Sequence, residues 1–446
     1  MPHADVVVIG AGLSGLTAAL RLAESGAVVT LVAKGHASTH WGSGGIDVAA
    51  PQGAHTPAQG VGLLGTNADH PYAFLGEDAA PAVGWLMERV AAAGLGYTGS
   101  LEIPIRRVPT AIGGTRRVAI VPAAQAAALR PWDRDEVLVV AGPAGYKDFW
   151  PAAIADSLAR ESVWHGADRP AHVLAVAVEL PGLRERNNLN ALELARRFDD
   201  PDRRTDDLDR IARAVHKAVG SRAGRVALPA VIGLDGHADA WADARARLTL
   251  EPFEIPLVPP SVPGIRLWRA LRERIRAAGG RIQVGESVHR IEVVRRRVVA
   301  VEMEAATRVH RIRTDAVVLA TGGIAGGGLV ATGDGHVVEP LLGLHVDAPV
   351  FDAWLLREAL DPAGHPIEAA GIRTDHRLHP LDPATGKPAI ANVLVAGALL
   401  AGQRALRERS GDGIAIASGW RAARELTAET TRTPVGRAPA TSRSAS

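Results

Sequence analysis

The residues whose types and spacing most directly allow chemistry are Gly10-x-Gly12-x-x-Gly15. The first glycine permits a tight turn, the second lets main chain approach a pyrophosphate, and the third lets a helix pack closely on a strand. With Leu13 and Ser14 between them, these positions would present free N–H groups at a helix N-terminus to a nucleotide phosphate. An acidic side chain some twenty residues further on would hold an adenosine ribose. Here Val32-Ala33-Lys34-Gly35 supplies none. That absence weakens the case for NAD and for an ordinary FAD grip, and it puts FMN first with FAD as the alternative. A glycine- and hydroxyl-rich loop follows, in which Ser38, His40, Ser43, Gly44 and Gly45 could bring donors to a flavin ring edge and ribityl chain. Ala320-Thr321-Gly322-Gly323 ends a later apolar run in a glycine turn that would lie beneath the same cofactor.

Polar candidates for a substrate are fewer. Arg116 and Arg266 carry guanidinium groups that match phosphate or carboxylate bidentately, with structural ion pairing as the competing use. His70 and His40 could exchange protons near neutral pH, or serve as caps or satisfied core histidines. His365, ahead of Gly371, is a weaker candidate of the same kind. No Ser/His/Asp constellation and no metal-ligand spacing emerges from the 16 histidines.

These residues need elements to hold them. Ala4–Ile9 is a continuous apolar run that predicts a strand buried on both faces, Leu16–Ser25 a helix, and Ala27–Val32 a second strand, together a βαβ unit. Strands are expected at 136–140, 172–178 and 226–229, and helices at 148–159, 189–198 and 208–219. Asp199–Asp209 reads as a charge-rich surface connection. A helix at 265–278, short strands at 281–284, 288–294, 298–302 and 316–320, a strand at 393–396 and a helix at 413–426 complete the pattern. At 446 residues the chain exceeds the ~250–300 at which one core stops growing. The expected organisation is therefore a discontinuous Rossmann-like flavin domain of α/β class, residues 1–60 and 260–426, carrying an inserted α/β domain at 61–259. Residues 427–446, rich in Thr, Ser, Pro and Arg, read as a disordered tail.

Composition excludes several functions. Fifty basic and 48 acidic residues give a net charge of only +2, and aromatics make up 4%, which argues against a nucleic-acid surface. The absence of cysteine removes disulfides, thiolate zinc and any cysteine-ligated iron–sulfur cluster on this chain. No apolar run is long enough to span a bilayer, so the chain reads as cytoplasmic.

Beyond the glycine turns, several motifs carry a resemblance: His70-Pro71-Tyr72 with Leu75-Gly76, Pro259-Pro260-Ser261 running into Gly264-Ile265-Arg266-Leu267, and Glu339-Pro340 before Leu342-Gly343-Leu344. Gly371–Asp375, Asn392–Gly397 and Gly413-Ile414-Ala415 extend it. Together they resemble the fumarate reductase and succinate dehydrogenase flavoprotein superfamily and, more narrowly, the B subunits of anaerobic glycerol-3-phosphate dehydrogenases. The resemblance implies that Gly397, Gly413, Ile414 and Ala415 close on the flavin. It implies an FMN-containing subunit that works with an FAD-containing catalytic subunit and an iron–sulfur membrane-anchor subunit, peripheral at the inner face of the cell membrane. The complex would oxidise sn-glycerol 3-phosphate to dihydroxyacetone phosphate and pass electrons to quinone. Ser38 stands six residues before the Gly44-Gly45 pair, where superfamily members with covalent flavin have histidine, so the flavin is expected to be non-covalent. Ala401–Arg407 departs from the family with a basic, helix-compatible stretch. The rival readings are a stand-alone fumarate reductase-like or ketosteroid dehydrogenase-like FAD oxidoreductase, and a non-catalytic electron-transfer subunit.

Overall fold

The computed structural model describes residues 2–164, 168–183, 188–305, 308–361 and 363–432. Its organising unit begins with β1 (His3–Ile9), α1 (Leu13–Glu24) and β2 (Val29–Ala33). Val7 and Val8 of β1 are fully buried, as are Leu31 and Val32 of β2, so the continuous apolar runs are central strands covered on both faces. Gly10 turns the chain from β1 into α1 at φ +116, and a Cβ there would lie 2.0 Å from the carbonyl oxygen of Ala320. Only glycine permits both that dihedral and that approach.

The chain then runs through α2 (Pro57–Gly65) and α3 (Tyr72–Ala91). The next elements are β3 (Val137–Pro143), α4 (Pro151–Leu158), β4 (His172–Val178), α5 (Ala191–Asp199), α6 (Pro201–Val219), β5 (Gly224–Pro229), α7 (His237–Arg247) and β6 (Glu251–Ile255). Then come α8 (Val262–Ala277), β7 (Arg281–Val284), β8 (Ser287–Val294), β9 (Arg297–Ala305), β10 (Arg308–Leu319), β11 (Val393–Val395) and α9 (Gly411–Arg432). A seven-stranded sheet has the order β7-β2-β1-β10-β9-β8, with β11 also on β10. The β7, β2, β1, β10 and β11 pairings are parallel, whereas β8, β9 and β10 form an antiparallel meander. A separate sheet, β6-β5-β3-β4, is wholly parallel.

Each sheet has its own apolar core. Helix α8 joins them, because its first turn gives Val262 and Ile265 to the smaller core and Leu267, Trp268, Leu271 and Ile275 go to the larger. Trp268 also donates its indole N–H to the Ala11 carbonyl at 3.1 Å, which fixes α8 against the glycine turn. The larger core takes in Val61, Leu75, Leu86 and Val90 of α2 and α3, although these lie within the stretch 61–259 expected as the insert.

Two elements differ from expectation for identifiable reasons. Asp199–Asp209 is no surface connection, since most of it is the start of α6. Asp200 caps that helix by accepting from the N–H groups of Asp202 and Arg203, and Pro201 occupies the first helical turn. Two of its charges are paired inward: Asp207, fully buried, accepts from Arg197, and Arg204 donates to Asp243 at 2.7 Å. At the other end, α9 continues to Arg432, so Thr427–Arg432 is helical, and the remainder of the expected tail lies outside the described residues. Strand β10 also begins earlier than the run at 316–320, at Arg308, because its first half pairs with β9 as a half-exposed hairpin.

Candidate flavin site

A cavity of about 1280 Å³ opens at the carboxyl ends of β1 and β2, where open α/β sheets bind ligands. Gly10, Gly12, Leu13 and Ser14 form its floor, and Ala33 and Lys34 line it at the end of β2. The loop contributes Ser38, Gly44 and Gly45, the later turn Ala320, Thr321 and Gly322, and the last helix Ala415.

The other expected contacts act behind this wall. Gly15 packs so closely that a Cβ would fall 2.0 Å from the Gly10 carbonyl oxygen. Gly397 sits against Ser14, Gly413 against Tyr72 and Val48, and Gly323 against Ala398, while Ile414 is fully buried in the larger core. Ser43 uses its hydroxyl on the Gly45 N–H and on Arg116. His40 stacks on His36 with ring centroids 4.6 Å apart. Loss of hydration, with His36 and Arg269 nearby, lowers its pKa to about 4, so at neutral pH it is an uncharged packing ring.

Of the remaining polar candidates, Arg116, Arg266, His70 and His365, only Arg116 approaches the cavity. Its guanidinium reaches Ser43 and donates to Asp47 Oδ1 at 2.7 Å, beneath Gly45. Arg266 is buried, bridging Glu254 at 2.7 Å and the carbonyls of Ile232 and Gly233. It therefore ties α8 to β6 and does not face the cavity. His70 is 2% exposed: Nδ1 accepts from the Tyr72 N–H, which leaves Nε2 to donate to Glu408 at 3.1 Å. His365 pins its own loop through Leu356 N–H and the Ala359 carbonyl.

Several wall residues carried no signal in the linear sequence. Glu286 to His289, after β7, reach the cavity by sheet pairing, and Leu341 and Asp412 by long connections, beside Pro340 of the Glu339-Pro340 motif. Gly326-Gly327-Gly328 also lines it, and that glycine run could have been noticed. Asp412 stands at the N-terminal end of α9 and accepts from the Asp47 N–H at 3.0 Å. Loss of hydration first, and the Asp47 charge second, push its carboxyl up to about 7.

A carboxyl whose folded-state pKa is raised contributes stability fully present below its unfolded value, here near 3.8, and lost as pH climbs through about 7. Asp412→Asn, which keeps an acceptor for Asp47, is therefore expected to flatten the decline in melting temperature between about pH 4 and 7. Parallel melting curves for the two proteins across that range would show Asp412 to be ordinary.

The lining suits a flavin nucleotide. Gly12 lies beside open space, the nearest atom to a Cβ there being Ala37 Cβ at 3.8 Å. Thr321 Oγ1 and Glu286 Oε2 are buried without a hydrogen-bond partner, and both residues line the cavity. Buried polar atoms in native proteins are nearly always paired, so such a wall fits a polar ligand.

This combination of parallel sheet, glycine turn and polar-rimmed cavity defines a nucleotide-cofactor flavoprotein, and the family described as FAD binding domain matches residues 5–414. The B subunit of the anaerobic glycerol-3-phosphate dehydrogenase from Yersinia pestis is 31% identical over 95% of this chain and 98% of its own length. That from Vibrio cholerae is 28% identical over 96% and 97% respectively. The chain belongs to this FAD-binding family and, within it, to the family of anaerobic glycerol-3-phosphate dehydrogenase B subunits. A 3-ketosteroid dehydrogenase structure from Rhodococcus jostii is a distant likeness, with 13% identity and a TM-score of 0.41 over 96% of this chain and 97% of that one. Among the described residues no helix is long and apolar enough to cross a membrane.

Proposed function

We propose that this chain is the flavin-carrying B-type subunit of a complex that oxidises sn-glycerol 3-phosphate to dihydroxyacetone phosphate, and that its flavin is non-covalent FAD. Full-length kinship with the named B subunits carries the reading. FAD replaces the FMN expected from the bare end of β2, because the cavity continues past that end to Glu286–His289 and leaves room for an adenosine half. The main chain of Gly12–Ser14 would hold the pyrophosphate, and the Gly44-Gly45 loop with the start of α9 the ring end. A bound flavin supplies acceptance of an electron pair and its release singly.

Conversion of the secondary alcohol to a ketone removes two electrons and two protons. Arg116, Asp47 and Asp412, linked to one another near the Gly44-Gly45 loop, are charged groups that would orient the substrate or exchange its protons. Electrons would leave to quinone through an iron–sulfur membrane-anchor subunit, since this sequence has no cysteine to hold a cluster, and an FAD-containing catalytic subunit would complete the assembly. The chain would then sit in the cytoplasm at the membrane's inner face. The inserted domain of this reading begins after α3 and carries the second sheet.

A second reading, in which the chain only relays electrons, is favoured by the enclosure of His70 and Arg266 away from the cavity. Heating the purified chain and weighing the released flavin is expected to give FAD; FMN would overturn that choice. Anaerobic glycerol 3-phosphate should bleach the isolated chain if it performs the substrate step. Bleaching that requires the catalytic partner would establish the relay, and none with all partners present would sink both readings.

A further inference from the structure

We propose that Glu286 supplies, from the neighbouring strand, the ribose-binding carboxylate that β2 lacks, an inference resting on the FAD reading above. Strand β7 runs parallel to β2 with Val284 opposite Ala33, and the Gly285 N–H donates to the Ala33 carbonyl at 2.9 Å. Glu286 is therefore two residues beyond the paired ends, level with Gly35. That is where a βαβ nucleotide fold needs an acidic side chain, displaced here by one strand.

Glu286 shares the cavity wall with Ala33, Lys34 and Gly35, and its Oε2 is buried with no hydrogen-bond partner. Leaving a carboxylate oxygen desolvated and unpaired is costly, so the site calls for a donor. A phosphate has none to give at neutral pH and repels the carboxylate. A ribose presents two hydroxyl donors, and a carboxylate accepts both without competing charge. The carboxylate thus selects the adenosine end of a dinucleotide for this part of the cavity.

The test strips flavin from the full chain and titrates it with FAD, FMN and an FAD analogue whose adenosine ribose lacks both hydroxyls, following flavin fluorescence. Glu286→Ala is expected to weaken FAD about 10- to 100-fold, the range of a hydrogen bond to a charged group, and to leave FMN unchanged. Glu286→Gln, which retains an acceptor, should fall between. The analogue should bind the wild type and Glu286→Ala equally. Undiminished FAD affinity in Glu286→Ala overturns the inference, as does an equal loss for FMN or a further loss for the analogue. Equal affinity of the wild type for FMN and FAD instead overturns the FAD reading itself. Matching melting temperatures of the flavin-free proteins exclude a folding defect as the source of a loss.

Discussion

Replacing Gly12 with valine is expected to yield a folded but colourless protein. Gly12 has extended backbone, φ −75 and ψ 177, which any residue adopts, and the nearest atom to a Cβ is 3.8 Å away. Exchanging a glycine N-cap for a branched residue costs the helix about 1 kcal/mol. The added methyl groups, however, enter the cavity beside the free N–H groups of Leu13 and Ser14. Crowding a close contact costs on the order of 1–3 kcal/mol, and displacing a charge-assisted hydrogen bond costs about as much again, so flavin affinity should fall by about 100-fold or more.

Gly10→Ala provides the contrast. Its Cβ would meet the Ala320 carbonyl at 2.0 Å from a positive-φ position, so that variant should lose stability and flavin together. Flavin content and melting temperature of the two variants separate a ligand contact from a packing contact. A Gly12→Val protein that purifies with a full complement of flavin would remove the pyrophosphate from this turn.

The same two glycines show how much of the site was legible in the sequence. A motif that packs main chain against main chain needs particular residue types at fixed spacing, so the floor of the cavity and the βαβ unit beneath it could be read directly. Glu286 could not, because nothing local distinguishes it. It reaches the cavity only because β7 pairs with β2 across some 250 residues of chain. Arg266 and His70 show the converse: their residue types permit either chemistry or structural pairing, and the partners that occupy them, Glu254 and Glu408, are assigned by tertiary packing.

The charged stretch at 199–209 follows the same logic. Its acidic density suggests solvent, whereas Asp200 satisfies a helix end and Asp207 is buried against Arg197. Polarity in a sequence reports the charge, and only the fold reports the partner.

Arg225→Ala is expected to cost about 3–5 kcal/mol of stability, the range for breaking a buried pair by removing one partner. Arg225, on β5 of the second sheet, is fully buried. It donates to both oxygens of Glu136, at 2.8 and 2.7 Å, and to the carbonyls of Ala127, Arg130 and Pro131, while its guanidinium lies 3.6 Å from the centre of the Trp132 ring. Burial, the largest single influence, would raise the Glu136 pKa, but the hydrogen bonds and charge of Arg225 together with the Asp133 N–H and Arg130 outweigh it and hold the carboxyl at about 2. The stabilisation from this pair is therefore present above the unfolded value near 4.5 and lost as pH falls through about 2. Without Arg225, Glu136 keeps Arg130 at 2.5 Å but little else of opposite charge, and protonation should set in at higher pH. The loss of stability in the variant should thus shrink below about pH 4, where a neutral Glu136 no longer needs its partner. Combining Arg225→Met with Glu136→Leu should recover only part of the loss, because three carbonyls remain without their donor. Denaturation midpoints measured at pH 7 and near pH 3 decide the matter, and an Arg225→Ala penalty independent of pH would place the cost in packing on Trp132 and not in the ion pair.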